Sequence, residues 1–281
     1  MALWDKIASR GNVEDRRGAG PMLIGGGGVG ITGLALFLLL TYLQGGDITD
    51  VITTGLQQVQ VSEQNIDPAQ FEGADEYETF ASAVLGSSDD MWSEIFRQSN
   101  STYNPPTLVL FRGATQSACG GASSQVGPHY CPLNETIYLD ETFFNELQSR
   151  FGATGGDVAE AYVIAHEAGH NEQNKLGIMD EINRYAGSSR ENELSVKLEL
   201  QADCFAGLWA YSIRDLGVIQ PGEIKEAMDA AAAVGDDRIQ ETTTGRVNPE
   251  SWTHGSSEER VAWFTRGYES GELSSCNTFG T

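Results

Sequence analysis

The residues in this chain best suited to chemistry are His166, Glu167 and His170, a His-Glu-x-x-His unit inside DVAEAYVIAHEAGHNEQN. Four residues advance an α-helix by about 400°, so the two imidazoles leave nearly one face, a turn apart, and can share a metal ion. Glu167 projects about 100° away from His166, beside the metal rather than in its ligand shell, where it can act as base towards a water activated by Zn²⁺. A catalytic zinc takes three protein ligands and keeps a fourth position open. The pattern that draws the third ligand from a nearby histidine fails here, because Gln173 and Leu176 stand where it needs glycine and histidine. Downstream, SVKLELQADCFAGLWAY offers Glu199 and Asp203 at helical spacing, interleaved with Leu198, Leu200, Ala202 and Phe205. Glu199 is the expected third ligand of one catalytic Zn²⁺. Asp203, one turn on, is placed to accept the outer N–H of a ligand histidine and fix its tautomer.

These side chains need two helices, and the surrounding pattern supplies them. Helical apolar spacing recurs near 142–150, 157–174, 190–215, 222–234 and 256–268, and two shorter helices are expected in DEYETFASAVLG and SDDMWSEIFRQS. TLVLF (107–111) and TIYLD (136–140) read as two strands of a small antiparallel sheet, either of which could offer a free edge to a substrate backbone. The fold class is therefore α+β, mainly helical, with a zincin-like metallopeptidase domain over residues 74–281.

Ahead of that domain, residues 21–43 (PMLIGGGGVGITGLALFLLLTYL) carry no charge and are long enough to cross a bilayer as one helix. Arg16 and Arg17 precede it, and Asp47 and Asp50 follow. The positive-inside rule then makes 1–20 a cytoplasmic segment, 44–73 a stalk, and the domain extracytoplasmic on a single-pass anchor in the cytoplasmic membrane. The glycines in 21–43 would also permit helix pairing in a homodimer. With 17 Lys+Arg against 40 Asp+Glu the net charge is −23, which argues against nucleic acid as a partner.

Several stretches resemble the family of neutral zinc metallopeptidases found in bacterial membranes, whose site logic is that of the gluzincins. They are NVEDRRG (12–18), GATQSACG (113–120), VGPHYCP (126–132), VIAHEAGHNEQN (163–174), LELQADCFAG (198–207), AAAAVGDDRIQ (230–240) and THGSSEERVAWFTRGYESG (253–271). The resemblance implies a zinc enzyme with His166, His170 and Glu199 as ligands. Thr253-His254-Gly255 with Arg260 resembles a Thr-His-Pro plus Arg element of membrane-associated gluzincins, with Gly255 in place of proline. On that basis His254 is the candidate for steadying the oxyanion of the reaction, with Tyr130 and Tyr138 in reserve, and His129 is assigned to structure.

Four cysteines lack C-x-x-C spacing, and an extracytoplasmic site favours two bridges, Cys119 with Cys131 and Cys204 with Cys276. The expected activity is hydrolysis of peptide bonds in a protein or peptide substrate. Two other readings compete: a catalytically silent zinc-fold scaffold of the envelope, and a zinc amidase acting on a cell-wall peptide.

Overall fold

TLVLF and TIYLD are buried at nearly every position, the pattern of strands covered on both faces rather than on one. In the computed structural model, which describes residues 2–17, 75–123 and 126–280, both lie inside a four-stranded sheet. The strands are β1 (Val13–Asp15), β2 (Thr107–Phe111), β3 (Ala114–Ser117), β4 (Gly120–Ser123), β5 (His129–Cys131) and β6 (Thr136–Asp140). The sheet order is β1-β2-β6-β5, and β3 with β4 forms a separate hairpin. The sheet is not the antiparallel one expected. β1 and β6 both run parallel to β2, and only β5 is antiparallel to its neighbour. The reason is the intervening chain: after β2 it makes the β3–β4 hairpin, comes back as β5, and reverses once more so that β6 runs the same way as β2.

The helices are α1 (Glu76–Gln98), α2 (Phe143–Ser149), α3 (Asp157–Lys175), α4 (Ile178–Asn183), α5 (Glu191–Ile213), α6 (Ile224–Ala233), α7 (Asp236–Thr244) and α8 (Ser257–Ser270). One sheet face places Leu108, Leu110, Ile137 and Leu139 in a core with Val84, Val158 and Tyr162 of the helices. The opposite face packs Val109, Phe111 and Tyr138 against Ala122 of the hairpin and Cys131.

Two expected short helices are one, α1, running unbroken through Gly86. A side chain at Gly86 would bring its Cβ within 2.8 Å of the Gly11 nitrogen, so this glycine makes room for the N-terminal strand's approach and is not a helix stop. Gly11 in turn donates its N–H to Ser82 O, and Ser82 Oγ donates to Gly11 O.

The N-terminal residues also differ from the separate segment 1–20 expected from the sequence. Trp4 stacks on Trp209 of α5 with 6.4 Å between ring centroids, and its indole N–H donates to Asp157 at 2.9 Å. Val13–Asp15 then completes the sheet edge. Residues 2–17 thus belong to the same body as the helices. The proposed membrane segment 21–43 and stalk 44–73 lie outside the described residues, and no helix among the described residues is long and apolar enough to cross a membrane.

Candidate metal centre

α3 and α5 cross where both carry small residues: a Cβ on Gly169, inside the His-Glu-x-x-His unit, would already lie 3.3 Å from Phe205 Cβ and 3.4 Å from Ala202 Cα. That close approach brings Glu199 over the two histidines. His166 Nε2 lies 3.2 Å from Glu199 Oε2, and His170 Nε2 lies 3.4 Å from Glu199 Oε1. Tetrahedral ligands at zinc–ligand distances near 2.0–2.1 Å stand about 3.3 Å apart, so the donor spacing fits one zinc ion. Potential donor atoms of His166, His170 and Glu199 all fall within 4.8 Å of one another.

The outer ring nitrogens are engaged as a metal site requires. His166 Nδ1 lies 2.9 Å from Asp203 Oδ1, and His170 Nδ1 lies 2.8 Å from Gln173 Oε1. Each acceptor holds its imidazole with Nδ1 protonated and Nε2 turned towards Glu199. Gln173 is itself fixed, donating through Nε2 to Leu198 O and Gln201.

Asp203 is fully buried and takes more than one donor. Tyr162 OH donates to Oδ1, and Arg260 grips both oxygens, Nε to Oδ2 at 2.8 Å and Nη2 to Oδ1 at 2.9 Å. Burial opposes the carboxylate's charge, but Arg260 and His166 outweigh it and hold the Asp203 pKa below the usual range. Burial first, and then the Asp203 and Glu199 carboxylates, raise the Tyr162 pKa against the opposing effect of Arg260 and keep its phenol protonated as a donor. Without metal, the His166 imidazolium resists its burial because Asp203 and Glu199 face it, and its pKa stands at about 10. Burial opposes the charge on Glu199, but His170, His166 and His254 outweigh it and hold its pKa far below the ordinary value.

Glu167 is buried beside this set, and its Oε2 has no hydrogen-bond partner among the described residues. It opens on a cavity of about 440 Å³ shared with His166, His170, Glu199, His254 and Arg260. Phe143, Met179, Leu198, Val234 and Ile239 make much of the remaining wall apolar.

His254 reaches that cavity through a turn built by Asp236 at the start of α7. One carboxylate oxygen, Asp236 Oδ2, accepts the backbone N–H groups of Thr253, His254 and Gly255 at 2.8, 2.6 and 3.0 Å. The other lies 3.3 Å from His254 Nδ1, and this bond leads the effects that raise the His254 pKa above its ordinary value. Gly255 has φ of +92° and donates its N–H. Proline has neither that φ nor an N–H, which accounts for glycine at this position.

Of the two tyrosines held in reserve, Tyr130 lines the cavity with its hydroxyl bonded to Asn171, whereas Tyr138 packs on the opposite sheet face and is bonded by Asn134. His129 also lines the cavity, its ring stacked on Tyr138 at 5.3 Å. Neither TIYLD nor TLVLF offers a free edge, since both are interior; the edge next to the cavity is β5, and Val126 to Tyr130 line the wall there. Cys119 is bonded to Cys131 at the end of β5, and Cys204 to Cys276, tying the tail to α5. Sequence reasoning missed Tyr162, Gln173 and Asp236. The only trace of Asp236 is its place in the GDDRIQ stretch.

Two histidines and a glutamate from two packed helices thus form a group that could hold a metal ion, with a further glutamate on the cavity wall. The chain belongs to the family described as "Putative neutral zinc metallopeptidase", whose model matches residues 2–279. It is 41% identical over 287 residues to "Uncharacterized protein YpfJ" of Escherichia coli strain K12, covering 99% of this chain and 98% of that one. It is 47% identical over 187 residues to "Uncharacterized protein Rv2575" of Mycobacterium tuberculosis H37Rv, covering 63% of each chain. No solved structure matches the chain.

Proposed function

We propose that the chain is a zinc-dependent endopeptidase acting on extended segments of protein or peptide. The observation that carries this reading is the buried Glu167 carboxylate, with an unpartnered oxygen, facing the same cavity as the three converging donors of His166, His170 and Glu199. A purely structural zinc site is closed and has no use for a base beside it. One bound Zn²⁺ would supply Lewis acidity towards the scissile carbonyl and lower the pKa of a water ligand. Glu167 takes the proton of the attacking water and returns it to the leaving amine. His254, whose protonated form Asp236 favours, donates to the oxyanion that develops on the carbonyl. Arg260 and Tyr162 act through Asp203, which orients His166. A substrate backbone added to the open edge of β5 would run beside the cavity and present an apolar side chain to Phe143, Met179, Leu198 and Ile239.

The two disulfides support a location outside the reducing cytoplasm, with the apolar stretch 21–43 as the attachment to the membrane. The test of the activity is hydrolysis of unfolded casein by the zinc-loaded protein, by the chelated protein, and by Glu167→Gln. Turnover only in the first supports the reading; equal turnover in all three ends it.

A further inference from the structure

The described chain breaks off at Arg17 and resumes at Asp75, and these two residues are ion-paired: Arg17 Nη2 lies 2.8 Å from Asp75 Oδ2. Arg17 is buried and also holds Asp15 at 2.6 Å and Glu141 at 2.7 Å, so the pair is part of a four-residue cluster and not a chance surface meeting. Behind it, the N-terminal residues are held along their length. Leu3 donates its N–H to Val218 O, Leu108 N–H bonds Asn12 O, and Arg16 N–H bonds Leu110 O. Val13, Glu14 and Asp15 pair with Leu108, Val109 and Leu110. Arg17 and Asp75, the described residues on either side of 18–74, therefore lie side by side on the folded body.

This bears on how the apolar stretch 21–43 meets a membrane. A single crossing would set the residues before it and after it on opposite sides of about 30 Å of hydrocarbon. An ion pair and a strand pairing cannot bridge that distance. Residues 44–73 contain Asp47, Asp50, Glu63, Asp67 and Glu72 and no second uncharged stretch of comparable length that could cross back.

We propose that the chain meets the bilayer from one side only: residues 2–17 and 75–280 stay together on the side of the active cavity, and the face bearing Arg17, Asp75 and Glu141 is turned towards the lipid that receives residues 21–43. This replaces the single-pass arrangement with a cytoplasmic N-terminus. A net charge of −23 gives the body no electrostatic attraction to anionic headgroups, so attachment rests on the apolar stretch.

The test uses the full chain. All described cysteines are paired, so a cysteine placed at exposed Ser9 or at exposed Glu258 is the sole thiol for a membrane-impermeant maleimide. In sealed right-side-out vesicles, Ser9→Cys and Glu258→Cys should label to the same extent; labelling of one with the other protected until lysis overturns the proposal. In a second arm, purified protein is floated with neutral phosphatidylcholine vesicles, alongside a variant with residues 21–43 replaced by an equal length of Gly/Ser. The wild type should float, and the variant should stay in the dense fraction with an unchanged unfolding midpoint. A wild type that does not float, a variant that still does, or a variant whose midpoint falls would each count against it.

Discussion

Replacing Asp203 by asparagine tests how the site is held together, because the substitution is nearly isosteric and its cost can be worked bond by bond. Three donors converge on Oδ1, from Tyr162, His166 and Arg260 Nη2, and one on Oδ2, from Arg260 Nε. An amide has one acceptor oxygen. Set at Oδ1, it leaves its NH₂ facing Arg260 Nε; set at Oδ2, it faces three donors. The milder orientation still loses a charge-assisted bond, about 1.5–3 kcal/mol, and leaves a buried guanidinium without its carboxylate. Breaking one partner of a buried pair costs about 3–5 kcal/mol in all. Because the His166 tautomer is then no longer enforced, zinc affinity should fall by roughly 10- to 100-fold. The assays are thermal unfolding of the apo protein and competition for zinc against a chromophoric chelator, each with Asp203→Asn, Arg260→Met and the double variant. The double variant should lose less stability than the two single losses summed, since it leaves no unpaired buried charge. Asp203→Asn with wild-type stability and zinc affinity, or strictly additive losses, would refute this account of the site.

Other consequences follow from separate contacts. Glu167→Gln should lower kcat by at least about a hundredfold while binding stoichiometric zinc, read by turnover beside metal analysis. In Asp236→Asn the main support for the raised His254 pKa is gone; the alkaline limb of the pH–kcat profile should move to lower pH. The stability this pair contributes is present below the ordinary value of 6.5 and is lost as pH rises through the raised folded pKa, so the variant's deficit should shrink at high pH. Asp89, pushed by burial from 3.8 to about 7, has the same direction of pH dependence: its folded form favours the proton, so stability falls between those values as pH rises. Asp89→Asn, which keeps an acceptor for Tyr103, should raise the unfolding midpoint at pH 8 and leave it unchanged at pH 3, the gain being at most about 4 kcal/mol. Cys204→Ser with Cys276→Ser opens a bridge of sequence separation 72, worth about 4 kcal/mol in the chain-entropy model, and denaturant unfolding should show the loss.

The parts of this protein legible in the sequence are those where one helix carries the whole signal. His166, Glu167 and His170 share α3, and Glu199 and Asp203 share α5, so the spacing alone places each set on a face. The structure adds that the faces meet. What the sequence hides depends on distant partners. Val13–Asp15 is three residues long, two of them acidic, and becomes a strand only because Leu108 to Leu110 present a parallel edge to it. Asp236 is a helix-start aspartate until the turn at 253–255 folds onto it. Tyr162 reads as one more apolar helix position, and its hydroxyl has meaning only once Asp203 and Arg260 are beside it. Gly86 looks like a stop because its neighbour across the gap, Gly11, lies far away in sequence.

Helix α5, which carries Glu199, is held by packing, an ion pair and a disulfide that lie outside the donor group of His166, His170 and Glu199. α8 lies against it so closely that a Cβ at Gly207 would be 2.0 Å from Phe264 O, and one at Gly267 would be 2.0 Å from Cys204 O. Arg260 projects from the same α8 to Asp203, one turn beyond Glu199. Cys204 joins α5 to the tail, where Gln201 Nε2 donates to Cys276 O and Thr278 Oγ1 to Lys197 O. Packing, ion pair and disulfide thus all bear on the two turns that follow Glu199. These contacts leave Glu199 few ways to move relative to the two histidines, so zinc binding is expected to need little ordering of this helix. The cost is proton competition: His166, held cationic by the two carboxylates in the apo state, must give up its proton to bind metal, so zinc affinity should fall with decreasing pH.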